Sequence, residues 1–176
     1  MKKWCLFLSG YMMLCLLASC GGVETPPAAS PADPAVSIQE EEQGPAPLTE
    51  LYMQVLEDLW VTDSALNADI SIIGMDLTGT SLSEEDRTAL AEAFAENHGV
   101  ALVEGTWKEL CDAGYIDVEN LYWADGCHFS ITETEEGTFD AQKWRSGLGA
   151  YFFTDCTAEQ SEAGEWSYTV GAHAIS

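Results

Sequence analysis

The sequence predicts an α+β fold, with helices packed on a mixed, mostly antiparallel sheet that ends in a C-terminal meander. Helical patterns and a strand–helix–strand unit come first in the chain, and strands joined by short turns follow. Residues 48–176 are the segment rich in large apolar side chains, and this length suits one domain with one core. We therefore expect a single α+β domain over residues 48–176.

The domain opens on a helical pattern. Apolar side chains recur at helical spacing from Leu48 to Leu59, which predicts an amphipathic helix ending near Trp60. After a polar connection, residues 70–77 are apolar on both parities, which predicts a strand covered on both faces.

A second helix should join this strand to another one. Ser83 can cap its first turn, the acidic residues after Ser83 favour the positive end of the helix dipole, and Gly99 should end the helix. Residues 100–103 predict a second buried strand. A strand, a helix and a strand of these lengths predict a right-handed parallel crossover.

A third helix begins at a capping box formed by Thr106 and Glu109, and it should stop at Gly114. Residues 115–126 have no regular period, and we expect Leu121, Tyr122 and Trp123 within them to pack as a hydrophobic flap.

The last part of the chain predicts strands and turns. From residue 127 apolar and polar side chains alternate, which predicts a half-exposed strand with Cys127 inward and His128 outward. Further strands are expected over residues 139–144 and 148–157, with a break or bulge at Ser146-Gly147. A final hairpin should turn at Ala163-Gly164.

Charge excludes one class of partner. Six basic and 30 acidic residues give a formal net charge of −24. Such a surface repels phosphate backbones, so we expect no nucleic-acid partner. It also repels anionic lipid headgroups. Solubility outside the cell explains this charge, and binding of a divalent cation or a cationic ligand is the alternative.

The N-terminus carries a secretion pattern. Lys2 and Lys3 precede an apolar run from Trp4 to Leu17, which is short for a membrane span. The ending Leu17-Ala18-Ser19-Cys20 resembles the lipobox of bacterial lipoproteins. The resemblance implies a signal peptide over residues 1–19, cleavage before Cys20 and a diacylglycerol on the Cys20 thiol. It further implies a lipid-anchored protein on the extracytoplasmic face of the cell membrane.

Residues 20–47 contain the lipidated cysteine and a segment rich in Pro, Ala and Glu. Few of its side chains could join an apolar core, so we expect a disordered linker that acts as a spacer.

A second resemblance lies in the domain itself. The segment Thr106-Trp107-Lys108-Glu109-Leu110, residues 143–150 and the Trp-rich end are similar to small uncharacterised secreted or lipid-anchored bacterial domains. This resemblance implies no activity.

Lys143, Trp144 and Arg145 place two of the few basic side chains together in an acidic chain. One interpretation is a site for a small anion or carboxylate, with Arg145 as a two-pronged donor and Trp144 as a wall. The other is internal pairing of both cations with acids on a neighbouring strand, and we favour it.

Three cysteines remain in the domain. Cys127 and Cys156 both fall on inward parities, which slightly favours a disulfide between them and leaves Cys111 as a buried thiol. The alternative is three reduced, buried cysteines. Neither the cysteine spacing, the histidines nor the acidic loops match a metal motif, so we expect no metal and no cofactor.

No catalytic signature is visible in the sequence. The leading hypothesis is therefore a non-catalytic binding or envelope-associated module for an unknown protein, peptide or glycan ligand. Two alternatives stay open: a small enzyme acting on cell-envelope polymer or glycan, and a module that captures sugar.

Overall fold

The computed structural model describes residues 47–176. The predicted signal peptide, Cys20 and the predicted linker up to residue 46 lie outside the described residues. The helices are α1 (Leu48–Val61), α2 (Glu84–His98) and α3 (Trp107–Asp112), with a 3₁₀ turn at Ser64–Asn67. The strands are β1 (Ile72–Gly79), β2 (Ala101–Glu104), β3 (Gly126–Glu133), β4 (Phe139–Ser146), β5 (Gly149–Gln160), β6 (Trp166–Thr169) and β7 (Ala172–Ile175).

These strands form one mixed sheet, which confirms the predicted α+β class. Its order is β2-β1-β3-β4-β5-β6, and β7 pairs with β5 beside β6. Strand β1 runs parallel to β2, as the strand–helix–strand pattern predicted, and parallel to β3. The remaining pairs are antiparallel and form the meander. Within residues 47–176, no helix combines the length and the apolar character that a membrane crossing requires.

Helices α1 and α2 pack on one side of the sheet, called here the first face. Ser83 caps α2 by accepting a hydrogen bond from Asp86 N at 3.1 Å, and Gly99 ends it with a φ of +65°, both as predicted. Burial of apolar side chains between these layers stabilises the domain. The large side chains that are completely buried there include Leu51, Val55, Leu56, Leu59, Ile73, Phe94, Phe129 and Ile131.

The opposite side, called here the second face, is covered by α3 and the following loop, residues 113–125. Leu110, Ile116 and Trp123 form a small core there. Gly74 on β1 permits this close approach, because a Cβ atom at that position would lie 2.5 Å from Leu110 Cδ1. The predicted capping box is present, since Thr106 and Glu109 exchange both hydrogen bonds.

Three expectations need correction. The strand β3 is buried on both faces, not half exposed, because α3 and the loop cover the side that carries His128. The strand β2 is only partly buried, because it lies at the edge of the sheet. In the predicted flap, Trp123 is fully buried, but Leu121 and Tyr122 remain exposed.

Candidate functional site

The segment Lys143-Trp144-Arg145 lies on β4 and alternates between the two faces of the sheet. Lys143 is fully buried on the first face, and its ammonium donates hydrogen bonds to three backbone carbonyls. The distances are 3.3 Å to Trp60 O and 3.2 Å to Asp63 O, and the third acceptor is Thr62 O. These carbonyls end α1, where helical acceptors lack intrahelical partners. Burial lowers the pKa of Lys143.

Arg145 makes the corresponding contacts further along the chain. Its Nη1 donates to Leu66 O at 3.2 Å and to Ala68 O at 2.5 Å, and its Nη2 donates to Ala124 O at 2.9 Å. Both cations are therefore bound inside the domain, but the predicted acidic partners are wrong. Backbone carbonyls accept their hydrogen bonds, and neither cation forms an ion pair with an acid among the described residues. The guanidinium thereby joins the 3₁₀ segment to the loop 113–125.

The loop 113–125 is tied to the β4–β5 hairpin by further backbone bonds. Trp123 N donates to Arg145 O at 2.9 Å, and Gly147 N donates to Leu121 O at 2.8 Å. Leu121 adopts a φ of +48°, a left-handed conformation that bulky side chains rarely take. Backbone strain of this kind persists only where surrounding bonds impose it, and it is common at functional sites.

The loop 113–125 and the β4–β5 hairpin together expose three apolar side chains, called here the apolar platform: Leu121, Tyr122 and Leu148. Their exposed fractions are 44%, 42% and 92%. Together with Asn120, Ser146 and Gly147 they line a shallow depression of about 500 Å³. The Arg145 guanidinium carbon lies 6.0 Å from the Tyr122 ring centroid, so a cation–π contact helps to hold this ring.

Acidic residues flank Leu121 and Tyr122 of the platform along the chain. Asp117, Glu119 and Asp125 are exposed carboxylates of the same loop. Hydrogen bonds from the Asn120 side chain and backbone lower the pKa of Asp117, so it is ionised at neutral pH. Arg145 keeps its positive charge beside Tyr122, but the three carboxylates of the loop outnumber it. The platform therefore lies in a negative electrostatic environment.

Trp144, the middle residue of the predicted site, points to the second face. Its ring meets Trp107 edge-on at a centroid distance of 5.8 Å, and its register partner on β3 is His128. The structure therefore separates Trp144 from the two cations that flank it. It does not bring the three side chains into one site.

His128 is the least expected residue of this region, because it is 1% exposed and neither ring nitrogen is hydrogen-bonded. Burial lowers its pKa, while the Asp76 carboxylate and the Gly105 backbone oppose the shift. The other histidines lie elsewhere: His98 bonds Glu57 at 3.1 Å, and His173 lies beside Tyr151. Among residues 47–176 no group of metal-binding side chains converges.

The predicted disulfide is incompatible with this sheet. Cys111, Cys127 and Cys156 are all free thiols. Strand β4 separates β3 from β5, and the registers place Cys127 near the Trp144 end and Cys156 opposite Phe139. Five residues of β4 span roughly 17 Å, whereas a bridge needs Cα atoms within about 7 Å. Burial raises the pKa of Cys127 to about 12 and that of Cys156 to about 11, so both stay protonated.

The platform was not predicted from the sequence, although one signal was present: Leu148 stands between two glycines and directly follows the expected break at Ser146-Gly147. Exposure of Leu121 and Tyr122 had no sequence signal, since both belonged to the predicted flap. Comparison with known proteins found no match to this chain among protein families, curated proteins or solved structures.

Proposed function

We propose that this protein is a lipid-anchored extracytoplasmic module that docks a protein or peptide segment on its apolar platform. The observation that carries the proposal is the joint exposure of Leu121, Tyr122 and Leu148 on a densely bonded support. Exposed apolar clusters are typical of interaction sites, because their contact with water is unfavourable unless a partner covers them.

The chemistry around the platform selects the partner. Asp117, Glu119 and Asp125 favour a segment that carries lysine or arginine beside an apolar side chain. The same charges disfavour a second copy of this chain, because two acidic loops would then face each other.

The anchor rests on the sequence. The lipobox resemblance assigns the lipid to Cys20, and from their composition we expect residues 20–47 to act as a spacer. We expect Cys20→Ala to abolish incorporation of a radioactive fatty acid in cells. Incorporation that persists in this variant would overturn the anchor without touching the docking proposal.

Docking is tested with a defined probe, a short amphipathic peptide of leucine and lysine. We expect saturable changes in the amide NMR signals of residues 118–122 and 146–148. Leu148→Ser should weaken binding about tenfold, since central apolar contacts carry most of the energy of small interfaces. Ile175→Ser is the matched control, because Ile175 is equally aliphatic and 70% exposed but lies on β7.

A second peptide, with glutamate in place of lysine, tests the charge argument. We expect it to bind more weakly than the lysine peptide at low salt. Equal binding of both peptides would overturn the proposal that the partner is cationic. Unchanged binding of the lysine peptide to Leu148→Ser would overturn the proposal that the apolar platform is the docking site. The enzyme hypothesis is checked in parallel by incubating the protein with purified cell-envelope polymer, where we expect no release of soluble fragments.

A further inference from the structure

The second face of the sheet is covered only in part. Helix α3 and the loop 113–125 pack over β1, β2 and the start of β3. Further along β3, the strands β3, β4 and β5 form a depression of about 290 Å³. We call it the sheet groove, and its side chains on this face are those of Ser130, Thr132, Asp140, Gln142, Phe152 and Thr154.

The strand register places these side chains in two adjacent rows. Ser130 lies opposite Gln142, and Gln142 lies opposite Phe152 on β5. Thr132 and Asp140 form the next row. Side chains at directly opposed positions are neighbours in a sheet, so hydroxyl, amide, carboxylate and aromatic groups share one surface.

Several of these polar groups are available to a ligand. The Ser130 hydroxyl and the Gln142 amide make no hydrogen bond to protein atoms in the described part of the chain, although Ser130 is buried. Asp140 is held in place, because its Oδ1 accepts a hydrogen bond from Asp155 N at 2.9 Å. The groove therefore combines free groups with a positioned carboxylate.

The chemistry of the lining selects one ligand class. Serine, threonine and glutamine side chains each donate and accept hydrogen bonds, which matches a ligand whose hydroxyls do both. The Phe152 ring supplies an apolar surface for the C–H groups of such a ligand. Asp140 in the groove and Asp76 beside Ser130 disfavour an anion. The volume lies at the small end of ligand sites, which suits one or two sugar rings.

We propose that the sheet groove binds a neutral saccharide through Ser130, Gln142, Asp140 and Phe152. This site is separate from the apolar platform and does not depend on the proposed docking function. It uses the face of β4 opposite to that of Lys143, so the same strand that anchors the loop also presents the groove.

The test is an amide NMR titration of the full chain, kept in a detergent without a sugar head group. The probes are cellobiose, maltose and N,N′-diacetylchitobiose. We expect at least one to give saturable shifts centred on residues 130–132, 140–142 and 152–154. Gln142→Leu, which keeps the side-chain volume and removes both hydrogen-bonding groups, should weaken that binding about tenfold. Lys108→Met, which also replaces a polar side chain with an apolar one but at an exposed position of α3, is the control and should leave it unchanged.

Two charged probes separate this ligand class from others. Inorganic phosphate and spermidine should give no saturable shift in the groove. The proposal is overturned if none of the three disaccharides binds, if a charged probe takes the groove in their place, or if Gln142→Leu leaves saccharide binding unchanged. A failure of this test leaves the platform result intact, because the two sites are probed with different ligands and variants.

Discussion

The two faces of this sheet are covered in different ways. On the first face, the apolar side chains of the two long helices α1 and α2 pack against the strands and exclude water. On the second face, a six-residue helix and an irregular loop cover only part of the surface. Regular helices can satisfy their own backbone groups, whereas a loop needs bonds from elsewhere. The second face and its loop accordingly contain the strained Leu121 and the unpaired His128 ring, and both proposed sites lie there.

The largest effect is expected from the cation that joins the strands to the end of α1. Lys143→Met should lower the free energy of unfolding by about 3 kcal/mol, because three carbonyls at the end of α1 lose the buried ammonium that binds them. Denaturant unfolding measures it. Lys108→Met is the matched control, because in residues 47–176 this exposed lysine forms its ion pair with Asp112 on the same helix. A loss no larger than that of the control would show that the carbonyls find water instead.

A smaller loss is expected on the second face. Gly74→Ala should lower the free energy of unfolding by about 2 kcal/mol, because the added methyl group overlaps Leu110 Cδ1. Combining it with Leu110→Ala removes this closest overlap and leaves the contact with the Trp123 ring at 2.9 Å, so the double variant should lose less than the two single variants together. Additive losses in thermal or denaturant unfolding would show that the backbone shifts to make room.

The smallest effect depends on pH. In the folded protein, burial lowers the pKa of His128, so its neutral form persists where the unfolded chain already binds a proton. Stability should therefore be complete above the ordinary histidine pKa of about 6.5 and fall as the pH decreases below it, by up to about 1.4 kcal/mol per pH unit.

His128→Leu isolates this contribution, since leucine fills a similar apolar space and does not titrate. The difference in unfolding free energy between the protein and this variant should change between pH 7 and pH 5. A difference that is constant over this range would show that burial does not disfavour the protonated imidazole, for example because the Asp76 carboxylate stabilises its charge.

Much of the first face could be predicted from the sequence. The start of α1 at Leu48, the Ser83 cap and the Gly99 stop all rest on contacts within a few residues, and the same holds for the Thr106 capping box of α3 on the second face. Local hydrogen bonds and helical periodicity are properties of neighbouring residues, so they survive in any fold that accepts the helix.

The second face could not be predicted in the same way. Alternation along β3 indicated one exposed side, but α3 and the loop that directly precedes β3 fold back over the sheet and cover His128. Inward parity suggested a Cys127–Cys156 bridge, but β4 lies between the two strands. For β3 the pattern gave the correct parity and no information about what lies across the sheet. For β5 a register shift against β4 places Cys156 on the face of Phe153, not on that of Phe152 as the parity had indicated.

For this protein, the sequence by itself determined the fold class, the helix ends, the acidic surface and the N-terminal pattern that resembles a lipobox. Only the tertiary structure decided what Lys143 and Arg145 bind, because the carbonyls of Trp60 through Ala68 are 77 to 83 residues away along the chain. Composition marked those cations as unusual. Their role depends on which backbone groups the fold leaves without partners, and that follows from packing and not from neighbouring residues.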